Sequence, residues 1–261
     1  FPLGQLPQEL QREIFVAAVK NDPKSAHDLV LVARRVCDWI QPFIFRMVAL
    51  DKEDAGMFLR TLETKPPEFF AAHVKHLCLS IAVPPPRATK VLGVCSGVVG
   101  LALWVDFGGT LAPATSRAGA YLSSFPLRRL SIEHAHLLSF LEAPKSGIPP
   151  WYDTLTHLEV VFWKRELAPV VPGLEVLTSL THLTLGLRHA HVEEEWLSAI
   201  VARCHHLKVL IPMANEDDDV EDPFVLGSCW VVPLTYPNSV IKNWEAAFWG
   251  LPDNYTRAEE E

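Results

Sequence analysis

The chain is poor in several things. Its five cysteines (Cys37, Cys78, Cys95, Cys204 and Cys229) are scattered, odd in number and form no Cys-x-x-Cys pair. That argues against a disulfide framework and for reduced, buried thiols in an intracellular protein, cytoplasmic or nuclear. There is no basic excess: 31 acidic residues against 23 basic ones leave a net charge of −8. With no basic stripe, non-specific nucleic-acid binding is not expected. There is no long apolar run either. The longest uncharged one, Val91 to Val105, is broken by glycines and a serine, and it falls short of the roughly 20 residues a membrane helix needs. The N-terminus lacks the basic-then-apolar order of a secretory leader. Gly-x-Ser-x-Gly, a phosphate loop and a dinucleotide fingerprint are all absent, and Gly97, Gly100, Gly108 and Gly109 do not assemble one.

What the chain does have is a repeated frame, apolar-x-x-apolar-x-apolar. Leu155-Thr156-His157-Leu158-Glu159-Val160 returns almost unchanged as Leu180-Thr181-His182-Leu183-Thr184-Leu185. The frame also fits the hexamers starting at Val74, Val98 and Leu127. It fits Leu207 more weakly, because Pro212 takes the last apolar place. Successive starts lie 24 to 29 residues apart. A period of about 20–29 residues in this frame resembles leucine-rich repeats, which implies an α/β chain whose strands stack into a parallel sheet as a solenoid. The fourth and sixth positions share one face of each strand and form the core. The third and fifth point to the other, concave, face. The ninth position of such repeats usually holds Asn or Cys. Here it is Ala82, Asp106, Ala135, Trp163, Arg188 and Asn215, so the turns should vary.

Taken in order, residues 1–50 read as three short helices: one after Leu6-Pro7, one from Ser25 through Val36, one from Trp39 to Val48. Residues 51–228 read as the degenerate repeats. Their helices run from Glu53 to Leu62, Arg87 to Cys95, Ser116 to Ser124 and Glu193 to Arg203, with Pro66-Pro67 as a linker. Residues 215–222 are an acidic run, read as a solvated loop because they lack an EF-hand's spacing. Residues 229–261 supply a last strand at Trp230-Val231-Val232, a cap with Trp244, Phe248 and Trp249 at helical spacing, and a frayed acidic tail from Tyr255. Asn254-Tyr255-Thr256 matches a glycosylation acceptor, which the reduced thiols argue is accidental.

Residues 3–48 resemble an F-box, and the whole chain resembles the F-box-like proteins of mushroom-forming fungi. The matching residues are Leu6-Pro7-x-Glu9-Leu10, Ile14-Phe15, Leu29 through Arg35, Trp39 and Phe43-x-Phe45-Arg46. The sequence departs from the motif at Ala33, where Cys is usual, and at Val36, where Trp is usual. The resemblance implies a helical module that docks a Skp1-type adaptor of a cullin ubiquitin ligase through Leu6, Pro7, Leu10, Ile14, Leu29 and Val32. The alternative is that these helices only cap an open end of the repeats.

Two uses of the concave face remain open. It could bind a client protein through Trp104, Arg129, His157, Glu159 and His182, since aromatic and Arg anchors dominate interfaces. The chain is then a non-catalytic substrate receptor, with an unidentified client and no cofactor. Alternatively, His157 and His182 should be strand neighbours, with Glu159 on the same face and Glu133 further along its own strand. Two histidines and two carboxylates could run acid/base chemistry or hold a metal or small molecule. His134/His136 and His189/His191 could chelate if they lie on strands. Cys37 and Cys78 have no histidine fixed beside them.

Overall fold

The N-terminal helices are set by caps and by where the apolar residues fall. In the computed structural model, described for residues 5–109, 111–112, 116–141, 148–163, 171–187, 193–215 and 222–261, helix α1 (Gln8–Asn21) starts directly after Pro7. Glu9 lies in its first turn and Lys20 in its last, complementing the helix dipole. Asp22 accepts the Lys24 amide and opens a 3-10 turn into α2 (Ala26–Leu29). The longer second helix expected from Ser25 through Val36 does not form. The chain turns over residues 30–32, Ala33 is extended (φ −163°, ψ 155°), and α3 (Arg34–Ile44) begins there. These helices enclose a small core of Phe15, Val19, Ala26, Val36 and Ile40, separate from the main one.

The expected third helix also ends early, at Ile44, and a strand follows, β1 (Met47–Leu50). The repeated frame fits here too, as Phe45-Arg46-Met47-Val48-Ala49-Leu50. Phe45 packs edge-on against Phe69 and Phe70. Sheet geometry therefore wins over the helix at this junction. Next come α4 (Lys52–Leu62), capped by Asp51, which accepts the Glu53 and Asp54 amides, and α5 (Pro67–His73). Pro67 is thus the first residue of a helix rather than a linker, a place its missing N–H suits. The alternation continues through β2 (His76–Leu79), α6 (Pro85–Val94), β3 (Gly100–Leu103), α7 (Arg117–Ser124), β4 (Arg129–Glu133), α8 (His134–Leu141), β5 (His157–Phe162), β6 (His182–Leu187), α9 (Glu194–Arg203) and β7 (Val209–Ala214). The tail supplies β8 (Phe224–Leu226), β9 (Cys229–Val231), β10 (Leu234–Thr235), α10 (Val240–Trp249) and α11 (Asn254–Glu260).

Among the described residues ten strands form one sheet in the order β1-β2-β3-β4-β5-β6-β7-β9-β8, with β10 also on β7. Every pairing is parallel except the β8–β9 hairpin. That hairpin turns at Gly227, whose φ of +63° suits glycine. β9 and β10 keep one offset along β7, so they act as a single strand interrupted at Pro233, which has no N–H to give.

Strict register makes ladders. Val48, Leu77, Leu101, Leu130, Leu158, Leu183, Leu210 and Val231 stand side by side across the sheet, all buried. Leu50, Leu79, Leu103, Ile132, Val160 and Leu185 form a second row. Both rows belong to the main core, shared with residues of α4–α9 such as Phe58, Phe70, Leu92, Leu122, Phe140 and Leu197. Among the described residues no helix is long and apolar enough to cross a membrane.

The acidic run expected to be a loop lies mostly outside the described residues. Asp106 does close a local turn, accepting the Gly108 amide at 2.8 Å.

Candidate functional site

The other face of the sheet carries a different ladder: Met47, His76, Gly100, Arg129, His157, His182, Val209 and Trp230. A parallel row runs Ala49, Cys78, Ala102, Ser131, Glu159, Thr184 and Ile211. This is the face expected to be open for a client. It is instead covered by α10 and α11, and the acidic tail expected to fray is helical to Glu260. Tyr255 and Ala258 are buried in it, because the sheet face supplies partners for a segment that has few of its own.

The cover is anchored along its whole length. Trp244 of α10 sits in a buried cluster with Met47, Cys78, Ala102, Trp104 and Val161. Phe248, one turn on, meets the His76 ring at 5.2 Å. Gly250 then turns the chain at a φ of +67°. Asp253 caps α11 by accepting the Thr256 amide and hydroxyl at 2.9 and 2.8 Å, and its other oxygen meets Arg129 Nη1 at 2.7 Å. The Arg129 guanidinium also lies 4.5 Å from the Trp244 ring and 5.1 Å from the Tyr255 ring. His157 and His182 stack face to face, centroids 4.3 Å apart and planes 2° apart, and Tyr255 presents itself edge-on to both. His182 Nε2 reaches Glu259 Oε1 at 3.0 Å. Ala258 packs with Val209, Ile211 and Met213.

The repeated Thr-His pair has a physical role. Thr156 and Thr181 donate their hydroxyls to the carbonyls of Arg128 and Thr156 in the preceding repeat, at 3.0 and 3.1 Å. Each hydroxyl oxygen also lies 2.8 Å from Nδ1 of the next histidine. The Thr–Nδ1 contact fixes each ring's orientation, whichever of the two atoms gives the proton.

Electrostatics follow the cover. Burial, with the neighbouring His182 and Arg129 charges, brings His157 down to about 4. Burial also lowers His182, against the pull of Glu259. Burial with Arg129 and Arg46 brings His76 to about 4. Burial raises the Glu159 carboxyl, opposed by a bond from Ser131 and by Arg129. At Asp253 burial works upward, but Arg129 and Thr256 outweigh it and hold the carboxyl low. The Cys78 thiol is pushed far up by burial, so it is no nucleophile.

The structure brings together Trp104, Arg129, His157, Glu159 and His182 beneath the cover. Trp104 is buried and donates Nε1–H to Ser131 Oγ at 2.7 Å. In this arrangement these residues do not form an open recognition surface. Glu133 stands apart and pairs with His136 at 3.3 Å. His134 and His136 lie on α8 rather than on a strand, so two residues apart they diverge. His134 stacks on Phe162 instead. His189 and His191 lie outside the described residues. Among the described residues no three His, Cys, Asp or Glu side chains gather as a metal site. Histidines held near 4 are weak bases at neutral pH. At the α10–α11 elbow, Arg129, His157, Asp253, Tyr255 and Glu259 border a depression of about 380 Å³.

The six residues expected to dock an adaptor lie elsewhere, in the N-terminal segment: Leu6 and Pro7 just before α1, Leu10 and Ile14 on α1, Leu29 at the end of α2 and Val32 in the turn after it. Leu10 and Ile14 are each 46% exposed and Val32 is 60% exposed. Pro7 is exposed, and Leu6 and Leu29 are partly so. Comparison with models of known protein families finds no match, and a search among curated proteins finds no significant one.

Sequence reasoning missed Leu31, 82% exposed, the α11 cap Asp253 and the α11 residues Tyr255 and Glu259. A signal for α11 existed: Asp253 stands three residues before Thr256, a capping spacing, and Tyr255 and Ala258 fall on one helical face.

Proposed function

We propose that the chain is a non-catalytic interaction subunit, a substrate receptor whose N-terminal helices dock a Skp1-type adaptor and whose repeats form a leucine-rich-repeat solenoid that receives a client. The docking half rests on one observation above the others. Phe15, Val19, Val36 and Ile40 close the small helical core, while Leu10 and Ile14, one turn apart on α1, remain 46% exposed. Leu31 and Val32 are exposed beyond them. A helical cap that served only the sheet would turn its apolar residues inward. The repeat half is supported by the sequential strand order and the unbroken leucine ladder. With no family model matching, the F-box reading stands on the quoted residues and on this exposure. A catalytic reading is weaker, because Glu133 is away from the histidine pair and the histidines are poor bases at neutral pH.

The test is a binding isotherm between the chain and a purified Skp1-type adaptor, repeated with Leu10→Glu and Ile14→Glu together. We expect submicromolar binding that weakens at least a hundredfold in the double variant while its thermal unfolding stays put, since both side chains are half exposed. A folded wild-type chain that binds no such adaptor ends the reading.

A further inference from the structure

The face beneath α10 and α11 is unlike a permanent interior. Its strand positions hold His76, Arg129, Ser131, His157, Glu159, His182 and Thr184. Polar groups kept in a core are costly unless each finds a partner. Here Arg129 and His182 find theirs in the cover itself, through Asp253 and Glu259. The match is incomplete: Arg129 Nε, Trp244 Nε1 and Asn254 Oδ1 are buried with no hydrogen-bond partner. Burial also raises the Glu245 carboxyl on α10. The cover contributes no strand, so its departure breaks no sheet pairing, and it turns on Gly250.

We propose that this face is a docking surface for a helix, that α10 and α11 are its resident occupant in cis, and that the partner it admits is an acidic-aromatic helix. The pattern is written in α11: a carboxylate for Arg129, an aromatic ring two residues later for the His157–His182 stack, and a carboxylate four residues after that for His182. A partner with a further acceptor beside Arg129 Nε outcompetes the resident segment, because it satisfies a sheet-face donor that the resident leaves unpaired. The inference rests on the receptor reading for the partner's role as client, and it accounts for how a covered face can still receive one. Tethering gives the resident hairpin an effective concentration of the order of millimolar, so a free peptide meets strong competition in the wild-type chain.

The test uses the full chain and a fluorescein-labelled peptide of residues 250–261, followed by anisotropy. Binding is compared between the wild type and a Tyr255→Ala/Glu259→Gln variant, with a milder Asp253→Asn chain alongside. Circular dichroism reports folding, and limited proteolysis between residues 236 and 252 reports release of the hairpin. We expect faster cleavage in both variants, peptide binding at least tenfold tighter to the double variant than to the wild type, and loss of that binding when Arg129→Gln is added. Equal binding to wild type and variant overturns the proposal, because the peptide then sits elsewhere. So does unchanged cleavage in both variants, or no binding to a folded variant whose hairpin is released. No adaptor is present, so failure here is distinct from failure of adaptor docking.

Discussion

The two faces of the sheet are built from the same strands and held by different physics. On the helix-packed side every rung is aliphatic, from Val48 through Leu158 to Val231, and the helices between the strands are tied in at both ends. On the hairpin side neighbouring rungs are His, Gly, Arg, His and His, and they are completed by residues more than seventy positions away in sequence. The first face follows from periodicity. The second depends on particular pairs, and it contains the buried donors that lack partners. Local opening should therefore start on the hairpin side, where stability comes from a few specific contacts.

The sharpest break of this comparison is Leu158→Ala. Leu158 is fully buried between Leu130 and Leu183 in the central ladder. Truncation leaves a cavity between rungs that cannot slide closed without losing register. We expect a loss of about 3–4 kcal/mol, read as a lower urea midpoint with an unchanged slope. A loss below about 1 kcal/mol would mean that the ladder is not the principal support of the sheet.

A smaller effect should come from acid, and it should fall on the hairpin side first. Unfolded imidazoles titrate near 6.5, whereas His76 and His157 are brought to about 4 and His182 is also lowered. Between those values the unfolded chain binds more protons, so stability falls as pH falls. The groups facing them are mixed: Arg46 and Arg129 toward His76, Arg129, His182 and Asp253 toward His157, Glu259, Lys208 and Asp253 toward His182. The raised carboxyls of Glu159 and Glu245 act oppositely, favouring the fold as they protonate. His76 and His157, held at about 4 and so well below a free imidazole, set the direction: stability falls as the pH drops from 7 toward 4.5. Hydrogen exchange should show α11 amides losing protection before those of β2–β6. Simultaneous loss would make the two faces one cooperative unit.

The sequence announces these faces unequally. The apolar ladder was legible because period two in the hexamers and period 24–29 between them both point to one buried row. The His157–His182 neighbourhood followed from the same register. β1 was hidden because Phe45 to Leu50 directly continues a helical pattern, and only pairing with β2 decides between the two. The second helix was overread because the turn at residues 30–32 leaves Leu31 and Val32 in solvent, where their apolar character imitates a helix face. α11 was misread because its polar residues look solvated until Arg129 and His182 are placed beneath them. Residues that gain their meaning from distant partners carry little local signal.

The repeated threonines test how far local rules reach into the polar face. Thr181 is one of the unassigned positions of the repeated frame, and its hydroxyl bonds the Thr156 carbonyl at 3.1 Å while its oxygen lies 2.8 Å from His182 Nδ1. Thr181→Val keeps the branched shape a strand favours and removes only the hydroxyl. It should cost about 1 kcal/mol, the usual net worth of one such hydrogen bond. The informative part is where that cost appears. Freed of its Nδ1 contact, the His182 ring loses its fixed orientation toward Glu259, so protection in α11 should fall by more than the global stability does. An equal fall in both would show that the hydroxyl serves only the strand and that the histidine is held by its stack with His157 alone.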